Sequence, residues 1–262
     1  MAAAGGDADA TAYLAAVVAA GGTVTPTITT ATNTLFTDLK AEGIYSDLKA
    51  MYPVVGATAA SFAINAIGNT AFNLTFNGTF TFSSSGFNST SSTSYASTNY
   101  VPLTEHPGGT MSLGLFANSN INPAATDTYM MGVYSAQDRF LSWDFRNGDR
   151  SSGKYLQNND TTMVITPGNP FGFAQLSSDG TTKYFSINRN GTEYAVSAAK
   201  DGTTLPDLEI YLCNLNVLGA PYTLQQGRAC FAYMGNYLTP AKMTAFATIV
   251  NAFQTALGRN TY

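Results

Sequence analysis

Two carboxylates facing one cleft roughly 5–9 Å apart can hydrolyse a glycosidic bond. Asp207-Leu208-Glu209 is this chain's nearest approach to that arrangement. Residues 207–216 alternate as a strand does, which would put Asp207 and Glu209 on one face. At the head of a strand such a pair reads as solvated rather than catalytic. Asp144 and Asp149 flank the stretch after Trp143 and read as turn caps. His106 lies between Glu105 and Pro107-Gly108-Gly109, in an expected exposed loop. No nucleophile and orienting acid can be assigned to it, as nucleophilic catalysis requires. The chain is therefore not expected to be an enzyme.

Cys213 and Cys230 fall in neighbouring expected strands and read as small buried thiols. A disulfide would form only if their Cβ atoms faced each other, so pairing stays open. Two cysteines and a single histidine cannot close a zinc site without several carboxylates. Asn158-Asn159-Asp160 and Asp179-Gly180 offer oxygens that Ca²⁺ could use, but without EF-hand spacing they read as turns. No cofactor is expected. Sugar binding by stacking needs exposed aromatics. Trp143 shares its strand face with Leu141 and Phe145, opposite Ser142, Asp144 and Arg146, and so belongs to the core. Tyr95, Tyr100, Tyr155 and Phe171 stand in or beside expected loops and are the candidate binding residues.

These residues need a scaffold, and the chain supplies strands closed by a helix. Residues 207–216 and 229–234 read as two strands across a Gly/Pro-marked loop. Thr239-Pro240 then opens a helix with Leu238 stapled on Met243; Phe246, Val250, Phe253 and Leu257 continue its stripe and Gly258 ends it. At the other end, Asp7 or Asp9 caps a helix whose Tyr13, Leu14, Val17 and Val18 share a face. Thr25-Pro26 opens a second helix, with Ile28, Leu35, Phe36 and Leu39 in a stripe and Gly43 as its stop. Ile44, Leu48, Met51 and Tyr52 suggest one further short turn before Pro53. Residues 1–56 thus form a helical unit too small to fold alone. From residue 57 the texture becomes strands, with runs at 72–76, 111–115, 129–134, 139–146, 162–166, 171–177, 183–189 and 193–198. Asn190-Gly191 marks a tight hairpin, while residues 83–104 read as a long functional loop of Ser, Thr, Asn and Gly. The expected fold is mainly β, an antiparallel sandwich over residues 57–262 with an N-terminal helical unit and a closing helix.

Composition agrees. Charged residues make up 11% of the 262 and aromatics 12%, a profile that suits β-rich chains more than helical enzymes. The net charge is −4 and the twelve Lys and Arg are scattered, which argues against a nucleic-acid partner. The apolar run 13–20 follows Asp7 and Asp9 where a signal peptide would carry positive charge, so it reads as an amphipathic helix. No stretch is long enough to span a bilayer, and no membrane partner is expected.

With these segments placed, the chain resembles the concanavalin-like, laminin-G-type jelly rolls. The resemblance rests on Asn188-Arg189-Asn190-Gly191, on Ile210-Tyr211, on Phe231 to Gly235 and on Leu238-Thr239 with the helix to Leu257-Gly258-Arg259. Related jelly-roll glycosidases carry a third acidic residue in the strand of the pair; Tyr211 and Cys213 follow here instead. Both ends also resemble tailed-phage virion proteins, through Asp7-Ala8-Asp9-Ala10, Asp38-Leu39-Lys40, Leu48 to Pro53 with Val55-Gly56, and Ala245-Phe246 to Arg259. Residues 83–170 carry little of this resemblance. It implies a virion surface component of tail or fibre type, without catalytic residues. The helical unit would be the attachment or oligomerisation piece, bound to other virion proteins in a homo-oligomer, while the loops contact a host glycan or receptor. The alternatives are a free lectin-like carbohydrate-binding module and a glycoside hydrolase on the same fold.

Overall fold

The computed structural model describes residues 6–118, 128–136, 139–146, 150–155, 163–165, 171–189, 191–200, 204–222 and 228–260. Its helices are α1 (Ala8–Ala19), α2 (Pro26–Ala41), α3 (Ala59–Phe62), α4 (Pro102–Glu105) and α5 (Pro240–Ala256). The strands begin with β1 (Leu48–Tyr52), β2 (Thr75–Asn77), β3 (Phe80–Ser83), β4 (Gly86–Ser89) and β5 (Tyr95–Ser97). Next come β6 (Met111–Ala117), β7 (Thr128–Ala136), β8 (Arg139–Arg146), β9 (Arg150–Tyr155), β10 (Met163–Ile165) and β11 (Gly172–Ser178). The series ends with β12 (Thr182–Arg189), β13 (Thr192–Ala199), β14 (Tyr211–Leu212), β15 (Asn216–Val217), β16 (Ala220–Pro221) and β17 (Arg228–Gly235).

Among the described residues these strands form two sheets. Sheet A runs β13-β12-β11-β6-β17-β4-β3, with β1 also paired to β17. Sheet B runs β10-β9-β8-β7-β14-β5-β2, with β15 beside β7 and β16 on β15. All pairings are antiparallel except β15 with β7. The fold class is thus as expected from the sequence: mainly β, two antiparallel sheets, N-terminal helices and a closing helix. Among the described residues, no helix is long and apolar enough to cross a membrane.

Period-two alternation divides the core into two layers. Leu113, Leu115, Leu176, Phe185, Ile187 and Met234 of sheet A meet Met131, Val133, Leu141, Trp143 and Leu212 of sheet B. Trp143 is 1% exposed, as its strand face requires. On the other side of sheet A, Phe116, Phe173, Phe231 and Tyr233 meet Tyr13, Leu35, Phe36, Leu39, Met243, Val250 and Phe253 from the helices. Phe246 is the hub there, with ring centroids 4.6 Å from Tyr233, 5.3 Å from Phe173 and 5.9 Å from Phe231. The layers are helices, sheet A, sheet B, and among the described residues no helix of comparable length lies over the far face of sheet B.

Local chemistry sets the helix limits as the sequence implies. Asp7 accepts from the amides of Asp9 and Ala10, Thr25 from Ile28, and Thr239 from Lys242. Gly258 has φ 66°, and the Arg259 amide reaches back to the Gln254 carbonyl, which closes α5 in a left-handed cap. The hairpin β12–β13 pairs from Thr182↔Ala199 to Arg189↔Thr192, with Gly191 at φ 79° in its turn.

Four expectations need correction. Residues 83–104 are not one structureless loop: they hold β4, β5 and α4, with Phe87 fully buried. Two buried hydroxyls there bind neighbouring backbone: Ser94 Oγ accepts from the Thr79 amide and Thr98 Oγ1 donates to the Ile210 carbonyl. The turn expected around residues 44–52 is a short 3₁₀ turn, Tyr45–Asp47, followed by β1. Apolar Leu48, Ala50 and Tyr52 are all buried there, and sheet pairing with β17 outweighs the helical spacing. The strand expected at 207–216 is cut to β14 and β15, because Cys213 takes a left-handed φ of 61° and turns the chain. Val18 is 57% exposed; α1 buries Ala10, Tyr13, Leu14 and Val17 instead.

Candidate functional site

The outer face of sheet B carries the arrangement best suited to a ligand. Its rows follow from strand register. Ser142 lies opposite Gly132, Gly132 opposite Tyr211, Tyr211 opposite Ser97 and Ser97 opposite Thr75, so these five point the same way. Gly132 is needed here: a Cβ on it would lie 2.6 Å from the Leu141 carbonyl oxygen and 2.9 Å from Leu215, which folds over the row.

Aromatic rings lie within and beside this row. Tyr95 stacks on Tyr211 with centroids 4.0 Å apart and planes 20° from parallel. Phe140 meets Tyr134 edge-on at 5.4 Å and Tyr129 at 6.2 Å, and Tyr129 in turn meets Tyr222 at 6.4 Å. Tyr222 is 63% exposed and neighbouring Leu218 67%, so the rim presents apolar surface to solvent.

The segment after Pro206 sets two carboxylates along this face. Asp207 ion-pairs with Arg139 at 3.1 Å, and its amide approaches Ser135 Oγ at 3.4 Å. The Ser135 hydroxyl and then the Arg139 charge hold its carboxyl below the usual range. Glu209 accepts from the Ser97 hydroxyl and, at 2.7 Å, from the Asn99 amide. Burial, with Tyr95 and Glu209 beside it, pushes the Tyr211 hydroxyl up, so it stays protonated and able to donate. Aromatic faces, fixed carboxylates and phenol donors on one surface can stack on and hydrogen-bond a polyhydroxylated ligand.

The structure sorts the sequence candidates. Tyr95 is half-buried in this face. Tyr100 is fully buried: its hydroxyl is hydrogen-bonded to His106 Nε2 and its ring lies 4.9 Å from Phe72, so it is no surface contact. The polar stretch around it gave no sign of burial; the folding back of α4 decides it. Phe171 is half-buried against the inter-sheet core. The side chain of Tyr155 lies outside the described residues, as do Asp149, Asn158, Asn159, Asp160 and the side chain of Asp144. His106 is 6% exposed, not a surface loop residue; burial and the nearby Lys49 lower its pKa to about 4.

Asp207 and Glu209 do not form the expected strand pair. They precede β14 and are bound to different partners, Arg139 for one and Ser97 with Asn99 for the other. Cys213 and Cys230 are free thiols, both buried. Asp179 accepts from the Thr181 and Thr182 amides, which is the turn chemistry expected of it. Among the described residues no cluster of three His, Cys, Asp or Glu could hold a metal. Sequence reasoning missed Tyr134, Phe140, Arg139 and Tyr211. The available signal was alternation around Trp143, which already put Ser142, and with it Phe140, on the outward face.

No family model matches the chain, and no curated protein matches its sequence. Solved structures match in shape. The binding domain of botulinum neurotoxin DC, in complex with rat synaptotagmin II, is 10% identical with TM-score 0.52, covering 81% of this chain and 52% of that one. A Trypanosoma rangeli sialidase mutant is 14% identical with TM-score 0.49, covering 86% of this chain and 39% of that one. The sialidase CBM40 of Ruminococcus gnavus, bound to α2,3-sialyllactose, is 10% identical with TM-score 0.43, over 53% and 82%. This chain thus spans about half of the toxin domain it resembles. The likeness to that toxin domain gives this chain a concanavalin-like, lectin-type sandwich fold.

Proposed function

We propose that the chain is a non-catalytic, lectin-like binding module that takes a glycan or a receptor surface on the outer face of sheet B. The observation that carries this reading is the Tyr95–Tyr211 stack beside the fixed Glu209 carboxylate, on the face opposite the helical layer. The fold adds support, since the toxin binding domain it resembles was solved in complex with a protein partner, rat synaptotagmin II. Binding is favoured over hydrolysis because Asp207 and Glu209 are each bound to protein partners, Arg139 for one and Ser97 with Asn99 for the other.

The setting we propose is a bacteriophage virion surface, where many copies would raise avidity beyond a single weak site. Its support is the resemblance of the two chain ends. Asp7 and Asp9 from one matching stretch meet Lys40 from another at 2.7 and 2.6 Å, and α2 packs against α5 from the third. The helical layer is then the attachment or oligomerisation side and sheet B the outward side.

A glycan array and a host-cell pull-down with the intact protein test the binding reading. Retention that falls with Tyr95→Ala and Tyr222→Ala supports it; no retention by either overturns it. Cryo-electron microscopy of the source particle tests the setting, which fails if the chain is absent from the particle.

A further inference from the structure

A second surface lies away from sheet B, where α5 leaves the end of sheet A uncovered. It is a groove of ≈ 370 Å³, walled by Pro240, Met243 and Thr244 of α5 and floored by Ser186, Ala195 and Ser197 of β12 and β13. Three observations meet there. First, among the described residues β13 is the terminal strand of sheet A, eight residues long and in unbroken register with β12. It contains no proline, lysine or bulge, devices that stop an edge from pairing, and Glu193 is its one charged residue. Second, Ser186 borders the groove and is 2% exposed, and its buried Oγ has no hydrogen-bond partner among the described residues. Buried hydroxyls are rarely left so. Third, Glu193 is the one ionisable carboxylate in the lining. It accepts from Thr244 Oγ1 at 2.7 Å, and no Lys or Arg among the described residues pairs with it.

We propose that this groove binds an arginine side chain presented by an extended segment of a partner protein, which adds as a further strand to β13. The row Gln175, Ser186, Ala195 crosses β11, β12 and β13 and loses bulk toward the edge. A residue paired opposite Ala195 continues that row, one strand spacing of about 4.8 Å farther out. Its side chain passes over the small Ala195 methyl toward Glu193 and Ser186. Arginine suits the site because it is long, permanently charged and multiply donating. One N–H edge answers the Glu193 carboxylate and another the Ser186 hydroxyl, while its methylenes lie on Met243 and Pro240. Backbone pairing supplies affinity and the groove supplies selectivity, as in strand addition generally.

The test uses the intact protein and a fluorescein-labelled Thr-Val-Thr-Arg-Thr-Val-Thr peptide, read by fluorescence anisotropy. A second peptide carries citrulline, which keeps the shape of arginine without its charge. The arginine peptide is expected to bind roughly tenfold tighter than the citrulline peptide, and Glu193→Gln to remove that ratio. Ala195→Trp, at an exposed position, is expected to abolish binding of both. No binding of either peptide overturns the proposal. So does equal binding of the two, or a preference that Glu193→Gln leaves unchanged. Tyr95→Ala, on the far face of the sandwich, leaves this binding intact, which separates it from the sheet B site.

Discussion

Tyr95 and Tyr211 stack 4.0 Å apart although 116 positions separate them, because β5 and β14 are antiparallel neighbours that pair Ser97 with Tyr211. The lower ring, Tyr211, is 4% exposed and braced within the sheet, whereas Tyr95 is only half-buried. Their roles should therefore separate on mutation. Tyr95→Ala is expected to weaken glycan or receptor retention roughly tenfold while costing only about 1 kcal/mol of stability, the size of an aromatic pair term. Tyr211→Ala should cost about 3 kcal/mol or more and impair folding along with binding. Urea denaturation beside a binding titration distinguishes them. Equal stability losses would remove the assigned division between platform and support.

His106 makes stability depend on pH in a defined window. Its folded pKa, about 4, lies below the ordinary 6.5, chiefly through burial and then through the Lys49 charge. Between these values the unfolded chain binds a proton that the folded chain does not. Stability is therefore full above pH 6.5 and declines as pH falls toward 4, by up to about 3 kcal/mol. His106→Gln, which can still meet the Tyr100 hydroxyl, is expected to flatten that part of the profile. Urea midpoints measured from pH 4 to 7.5 give the answer, and parallel profiles for the two proteins would refute the assignment.

Both thiols should be silent in the native state. Cys213 and Cys230 are 0% exposed and unpaired, and burial pushes the thiol pKa of each up, that of Cys230 to about 12. The thiolate is the reactive form, so native protein should leave an aromatic disulfide reagent unconsumed at pH 8. Under denaturant, release of two equivalents is expected. Release of none would mean that the sulfurs are joined.

The helices were legible in the sequence because their signals are local. Thr25-Pro26, Thr239-Pro240 and Gly258 act within one turn, and each is found where its chemistry puts it. The Asn190-Gly191 hairpin was legible for the same reason. What failed depended on distant partners. Tyr100 and His106 look like loop residues until α4 folds inward, where the Leu103 amide meets the Pro206 carbonyl. β4 and β5 hide in a Ser/Thr-rich stretch: each has one partner nearby, β3 and β2, but the other, β17 and β14, lies more than a hundred positions onward. The candidate site was only partly legible. Tyr95 was picked out by its surroundings, but its stacking on Tyr211 depends on the pairing of β5 with β14, more than a hundred positions away, which alternation does not foretell.

Arg259 ties three distant segments together and should be among the least replaceable surface-remote residues. It is 3% exposed, and its guanidinium donates to the Ser84 and Val54 carbonyls at 2.8 Å each, with Pro53 and Cys230 carbonyls at 3.5 Å. Among the described residues no carboxylate pairs with it, and burial lowers its pKa. Val54, which it holds, has φ 57°, an unfavourable conformation for a β-branched residue. Arg259→Met fills much of the space but leaves buried carbonyls unsatisfied, at an expected cost of about 3 kcal/mol. Arg259→Lys should also destabilise, because one ammonium cannot span the planar fork. Val54→Gly in the Arg259→Met background is expected to recover part of the loss by relieving the backbone. Thermal and urea denaturation of the four proteins test this. Wild-type stability in Arg259→Met would show that the Val54 turn holds without its clamp, and that Arg259 owes its burial to something other than these carbonyls.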